Sequence, residues 1–178
     1  MPNKFPQRKS PRAKWLEYNE GMYFVTVCCQ NWIHYFGEIT DGEMHLSPIG
    51  EFLSSSLDNT KFHQPHIDVL QYVVMPNHFH AIVDVHATDS DTACRVPTKD
   101  KRVDKGIKCG RLPLLSAYVG ALKSAVTKYA HISNPGFAWQ KRFHDHAIRG
   151  IEDCNNISEY IENNVLNWDK DCFCNPRE

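Results

Sequence analysis

Val73-Val74-Met75-Pro76-Asn77-His78-Phe79-His80-Ala81-Ile82-Val83 is the stretch from which the rest of this chain can be read. Side chains alternate between the two faces of an extended backbone, so His78 and His80 point one way while Phe79 turns into the opposite layer. Two imidazoles side by side on a sheet make half of a divalent metal site. An H-x-H tripeptide alone is a weak signal. Here it sits between an aliphatic run, a Pro-Asn turn and a second aliphatic run, which describes a hairpin carrying the histidines at its bend.

The chain around this stretch has 178 residues, which suits one domain and is ample for a core. A hydrophobic share of 42% excludes a disordered chain. The formal net charge of -1 gives no global attraction to nucleic acid, so any such surface must arise from local segregation of charge. No apolar run approaches the roughly 20 residues of a membrane span, and Met1 to Lys14 lack the apolar core of a signal peptide. Seven cysteines, Cys28, Cys29, Cys94, Cys109, Cys154, Cys172 and Cys174, include no C-x2-C pair, so reduced thiols are expected rather than a zinc knuckle. These features fit a cytoplasmic protein without membrane attachment.

Along the chain, residues 1–20 form a basic arm with Lys4, Arg8, Lys9, Arg12 and Lys14. Met22 to Gln30, aromatic and β-branched, reads as a strand. A second strand is expected over Trp32 to Ile39, with Asp41-Gly42 as a hairpin turn toward Met44-His45-Leu46. Ser47-Pro48 has the form of a helix N-cap followed by proline at the first helical position, and apolar residues then recur at helical spacing to about Asn59. Strands over Ile67 to Val74 and Phe79 to Val85 follow. Residues 86–112 lack any apolar period and carry Lys99, Lys101, Arg102, Lys105, Lys108 and Arg111, which reads as a long mobile insertion. Leu114 to Ala130 is the strongest helix, with an expected apolar stripe of Leu114, Tyr118, Ala121, Leu122, Ala125 and Tyr129. Arg142 to Arg149 is expected to be extended, and a last helix runs from about Glu152 to Leu166. The order predicts an α+β, ferredoxin-like domain over 21–168, an antiparallel sheet of about four strands with helices on one face, before a tail of 169–178.

In the last helix Ile157, Ile161, Val165 and Trp168 form a stripe facing the core, while Tyr160 and Asn164 stack four residues apart, roughly 100° around from it. A phenol and a carboxamide oxygen are offered together at the edge of the buried face.

Taken together, Met75-Pro76-Asn77-His78-Phe79-His80, Leu122-Lys123-Ser124, the segment Trp139 to Arg149, and Tyr160-Ile161-Glu162-Asn163-Asn164 resemble the single-tyrosine HUH transposases, in particular the REP-associated (RAYT) branch. The resemblance covers residues 20 to 167. Val165 stands where the family often has proline, and the insertion at 86–112 is longer than the family pattern. The resemblance implies an HUH-type nuclease domain that cuts and transfers single-stranded DNA, often at or beside a hairpin. Tyr160 would be the nucleophile, giving a 5′-phosphotyrosine and a free 3′-OH. His78, His80 and Asn164 would hold Mg²⁺ or Mn²⁺, and the protein would act as a monomer or homodimer, in the cytoplasm and at the nucleoid. Hypothesised DNA contacts are Lys123, Lys128, Lys141, Arg142, His146 and Arg149.

Rivals exist. His144-Asp145-His146 is a second H-x-H without an aliphatic exit strand, and His63 and His66 fall in a loop. Trp139 can stack on a base or serve the core, and Tyr72 and Tyr129 read as packing residues. A catalytically inactive nucleic-acid-binding protein on the same fold, or a metal phosphoesterase using water, are the alternative functions.

Overall fold

Alternation along two neighbouring strands separates the core from the histidines. β1 (Gly21–Cys28) and β5 (His78–Val85) run antiparallel, pairing Tyr23 with Val83, Val25 with Ala81 and Val27 with Phe79. These six side chains are buried in the hydrophobic core. The intervening pairs, Phe24 with Ile82, Thr26 with His80 and Cys28 with His78, belong to the other face. The computed structural model describes residues 20–86, 113–171 and 173–174.

β4 (Ile67–Met75) flanks β5 and β6 (His144–Ala147) flanks β1, so the antiparallel sheet has the order β4-β5-β1-β6. Each outer strand reaches its place through a helical crossover that skips one strand, the interlocked split βαβ pattern of ferredoxin-like domains. The expected four-stranded α+β architecture is what the chain adopts. Asp41-Gly42 joins a separate hairpin, β2 (Gly37–Thr40) and β3 (Glu43–Leu46). Gly37 has φ +141°, and a Cβ there would meet the His45 carbonyl oxygen at 2.0 Å, so this close approach requires glycine.

α1 (Pro48–Asp58) starts at Ser47, whose hydroxyl accepts from the Gly50 amide at 3.1 Å and donates to the Tyr35 carbonyl at 2.7 Å. α2 (Thr60–His63) is a single turn. α3 (Leu114–Ala130) has the bounds that its sequence predicts. α1 and α3 cover the core face, contributing Ile49, Leu53, Leu57, Leu115, Tyr118, Val119, Leu122 and Val126. α4 (Ile151–Asn163) crosses the opposite face, the side of the histidines, so the expectation of helices on one face describes α1 and α3 and not α4.

Three further expectations change. The strand expected over Trp32 to Ile39 begins only at Gly37 and is the short β2; Gln30–Trp32 is a 3₁₀ turn in which Asn31 and Trp32 have positive φ. The Asn77 side chain donates to the Trp32 carbonyl at 3.1 Å where the chain leaves the sheet. The buried stripe of α3 is Leu115, Tyr118, Val119, Leu122, Val126 and Ala130, rotated from the expected one. Tyr118 and Leu122 belong to both stripes, whereas Ala121 and Ala125 are exposed and Tyr129 turns to α1, stacking on Phe52 with centroids 4.2 Å apart. α4 ends at Asn163, three residues early, and gives way to turns and a 3₁₀ segment, Trp168–Lys170. The proposed basic arm and insertion lie outside the described residues apart from Glu20 and His86. No helix among the described residues is long and apolar enough to cross a membrane.

Leu53 is fully buried between α1 and the sheet. Leu53→Ala is expected to cost about 2–5 kcal/mol in urea unfolding; a loss under about 1 kcal/mol would show that α1 does not carry the core face.

Candidate metal and tyrosine centre

The β1–β5 pairing sets two imidazoles on the face away from the core, and both are buried, His78 at 0% and His80 at 2% exposure. Their Nε2 atoms lie 3.0 Å apart. Each Nδ1 is held by a separate oxygen: His78 Nδ1 lies 2.8 Å from Asn77 Oδ1, and His80 Nδ1 lies 2.8 Å from Thr26 Oγ1.

Asn77 decides the tautomer of His78. Its Nδ2 donates to the carbonyls of Trp32 (3.1 Å) and Phe173 (2.9 Å), so its Oδ1 faces His78 as an acceptor. His78 therefore carries its proton on Nδ1 and turns the lone pair of Nε2 toward His80. Thr26 can donate or accept, so it suits both tautomers of His80. One places a proton between the two Nε2 atoms; the other presents a second lone pair, a pair of nitrogens that only a cation can bridge. Phe24, next to Thr26 on the strand, stacks against His80 at 5.2 Å and fixes the ring plane.

Burial holds both rings neutral. It pushes His80 down to about 4, and it pushes His78 well below its ordinary value, with the neighbouring His80 adding to the effect. Neutral imidazole is the form that ligates metals.

α4 brings its side chains over this pair. The Tyr160 hydroxyl lies 3.2 Å from His80 Nε2, and its ring meets Phe24 edge-on at 6.0 Å. Two turns later Trp168 packs against His78 at 6.0 Å. Asn164 lies between these two on the chain and is 3% exposed, deeper than the edge position its spacing implied. Its Oδ1 is buried with no hydrogen-bond partner. A buried acceptor left unpaired costs roughly 1–3 kcal/mol, and a donor or a cation at this oxygen would relieve that cost.

The donor set fits a divalent ion. Two ligands in adjacent positions of an octahedral ion with bonds of about 2.1 Å are about 3.0 Å apart, the separation seen between the two Nε2 atoms. Among the described residues, one grouping of His, Cys, Asp or Glu can hold a metal, formed by His78, His80 and Asp171, with ligand atoms within 4.8 Å of one another.

The rival H-x-H lies on β6 with both histidines exposed. The pairing of Thr26 with His144 and Phe24 with His146 puts them on the same face as His80, at the sheet edge. His146 Nε2 is 2.9 Å from Asp153 Oδ2, which also accepts from the Arg149 amide. Lys141, Arg142 and Arg149 are exposed along this edge. Lys123 and Lys128 lie on α3, across the sheet from the histidines. The Lys123 ammonium donates to the carbonyls of Gln140 (2.8 Å) and Arg142 (3.4 Å) and lies 5.7 Å from the Trp139 ring, so it ties the segment before β6 to α3. Trp139 packs among Phe36, Phe137 and Phe79. Tyr72 donates to Asp58 at 2.7 Å. His63 and His66 are exposed.

Thr26, Asn77 and Asp171 escaped the sequence reading. Asn77 had a signal, its place beside His78 at the hairpin bend. Thr26 becomes visible only with the β1–β5 register, and Asp171 falls in the stretch set aside as a tail.

An uncharacterized protein of Haemophilus influenzae is 31% identical over 166 residues, spanning 92% of this chain and 91% of the relative. The two belong to one family. No protein-family model matches the chain. Among solved structures, a REP-associated tyrosine transposase bound to a REP hairpin aligns over 89% of this chain and 73% of its own, with a TM-score of 0.59 at 21% identity. The fold is RAYT-like. The HUH-like histidine pair, on the second strand of the hairpin, lies in the middle of that fold.

The neutral, buried histidines carry a pH signature. The unfolded chain protonates them near 6.5, whereas folded His80 resists protonation until about pH 4. The unfolded state thus binds more protons between these values, so stability is complete above about pH 6.5 and falls as pH drops toward 4. His80 alone accounts for roughly 3 kcal/mol of that loss. Urea melts in chelator at pH 7.5, 6 and 4.5 should show it, and His80→Gln should flatten the profile; equal pH dependence in both proteins would contradict the burial argument.

Proposed function

We propose that the protein is a metal-dependent single-stranded DNA endonuclease and strand transferase, a transposase in which Tyr160 is the nucleophile. The observation that carries this reading is the 3.2 Å contact between the Tyr160 hydroxyl and His80 Nε2, itself 3.0 Å from His78 Nε2. The REP hairpin held by the structural neighbour supports hairpin-bearing DNA as the substrate class.

In this reaction the Tyr160 Oη forms a bond to the phosphorus of a phosphodiester. The bond to the 3′-oxygen breaks, and that oxygen leaves with the electron pair and takes up a proton. The products are a 5′-phosphotyrosine on Tyr160 and a free 3′-OH, which can attack the same phosphorus and restore a phosphodiester. Covalent storage of the bond suits strand transfer and not degradation. A phenol of pKa about 10 is a weak nucleophile at neutral pH, so its proton must be drawn off at the site. His80 Nε2, 3.2 Å from the hydroxyl, has a single lone pair that the proposed ion would occupy, so the Tyr160 proton would leave to solvent water as the bond to phosphorus forms.

His78, His80 and Asn164 would hold Mg²⁺ or Mn²⁺, which supplies positive charge against the phosphate oxygens. Thr26 and Asn77 keep the two Nε2 lone pairs aimed at that point, a role that outer partners of metal-bound histidines commonly fill. Lys141, Arg142, His146 and Arg149, exposed at the β6 edge, are the basic groups best placed to meet the DNA backbone. Lys123 supports them through the carbonyls it binds, and Lys128 offers a contact on the far side.

The test uses single-stranded DNA carrying imperfect hairpins, labelled at either end, with protein and Mg²⁺ or Mn²⁺. A denaturation-resistant adduct is expected, absent in Tyr160→Phe and in His78→Ala/His80→Ala. Cleavage that survives Tyr160→Phe without an adduct would identify a water-using phosphoesterase, and binding with no cleavage in either ion an inactive DNA-binding protein. Thr26→Val, which leaves His80 in place but removes its hydroxyl partner, should lower metal-dependent cleavage about 10–100-fold. An unchanged rate would remove Thr26 from the account.

A further inference from the structure

Asp171 follows the 3₁₀ turn Trp168–Lys170, its amide donating to the Trp168 carbonyl at 2.9 Å. Residues before and after it in the chain pack on His78. Trp168 packs on that ring at 6.0 Å, and Phe173 lies against it at 4.7 Å. Phe173 is pinned in turn by stacking on Trp32 at 4.7 Å and by the Asn77 side chain, which donates to its carbonyl at 2.9 Å. Asn77 thus orients His78 and anchors the segment bearing Asp171 with the same amide group. The Asp171 carboxylate is held between these anchors, with a ligand oxygen within 4.8 Å of the ligand nitrogens of both histidines.

We infer that Asp171 is a protein ligand of the ion held by His78 and His80. This rests on reading the histidine pair as a metal site. Two neutral imidazoles and a carboxamide bring no charge to a divalent cation, whereas a carboxylate neutralises half of it and supplies the hard anionic oxygen that Mg²⁺ and Mn²⁺ favour. Two opposed ligands on an ion with bonds of about 2.1 Å stand about 4.2 Å apart, and adjacent ones about 3.0 Å, so the grouping needs only a small contraction to close on an ion. One carboxylate oxygen already accepts from the Phe173 amide at 2.9 Å, which leaves the second for the metal and holds the group in place.

Asp171 also has a plain structural use, since an aspartate that accepts from the amide two residues on forms an Asx-turn. Asparagine forms that turn equally well but is a far poorer ligand, so Asp171→Asn separates the two uses. Mn²⁺ binding would be measured by the EPR signal of free Mn²⁺, for the whole chain and for Asp171→Asn, Asp169→Asn and His78→Ala, with circular dichroism to confirm folding. The expected result is one Mn²⁺ site in the parent chain, at least about tenfold weaker in Asp171→Asn, unchanged in the neighbouring Asp169→Asn, and lost in His78→Ala. If His78→Ala loses the ion while Asp171→Asn keeps full affinity, the inference fails and the histidine site stands. Equal weakening in Asp171→Asn and Asp169→Asn would also overturn it, because net charge and not ligation would then be responsible. Should His78→Ala bind Mn²⁺ as well as the parent, the histidine reading fails and this inference with it.

Discussion

The register between β1 and β5 is the constraint on which the rest of this molecule depends. A shift of one residue would exchange the two faces of either strand, sending Val25, Val27, Phe79 and Ala81 into the layer of α4 and turning the histidines into the hydrocarbon of α1 and α3. The register is held by what each face demands. On one side Phe79 is the largest core side chain that β5 supplies, and it fits beside Val27 and Trp139. On the other, His80 needs the Thr26 hydroxyl directly across from it. Core packing and polar pairing select the same alignment, so the element that stabilises the fold also sets the site.

That alignment puts polar groups where water cannot reach them, and their cost is met in layers. Asn77, fully buried, spends both amide hydrogens on backbone carbonyls and its oxygen on His78. Thr26 serves His80. Asn164 is where the layering stops, because its oxygen has no partner among the described residues. The other polar groups on this face are paired among themselves, His78 with Asn77 and His80 with Thr26, while the two Nε2 atoms face each other at 3.0 Å.

Much of this fold is legible in the residues. Period-two alternation around Phe79 separates His78 and His80 from the core, and the helical recurrence of apolar residues from Leu114 to Ala130 delimits α3 at both ends. Ser47-Pro48 marks the start of α1 because a hydroxyl acceptor and a missing N–H suit that one position. What is not legible depends on contacts distant in sequence. The buried face of α3 could not be chosen by spacing, since Val119, Val126 and Ala121, Ala125 all satisfy a helical period and only the sheet distinguishes them. The turn at Asn31 and Trp32 is met by the Asn77 side chain, 45 residues away in sequence. Asp171 lies beyond the last recognisable motif, and nothing in its local sequence indicates that Trp168 and Phe173 grip the same ring. Tyr160 and Asn164 were visible as neighbours on one helix face, but the depth of Asn164 required the sheet beneath it.

The two faces of the sheet also differ in how firmly they are covered. α3 buries six residues on the core face, whereas α4 buries only Ile161 along its own length. Much of its attachment is polar: Ser158 donates to Gln71 at 2.6 Å, Gln71 donates back to Glu162 at 3.3 Å, and the Tyr160 hydroxyl meets His80 while its ring rests edge-on against Phe24. Side-chain hydrogen bonds of this kind contribute about 1 kcal/mol each, against the 2–5 kcal/mol that follow the loss of a buried leucine. α4 is therefore held less firmly than α3, while the histidines stay on a strand at the centre of the sheet. Under the proposed reaction, a tyrosine that approaches a phosphate, holds it and later releases it would be better carried on such a helix than on the strand. A histidine pair holding an ion would have to keep its spacing throughout and would be better carried on the strand.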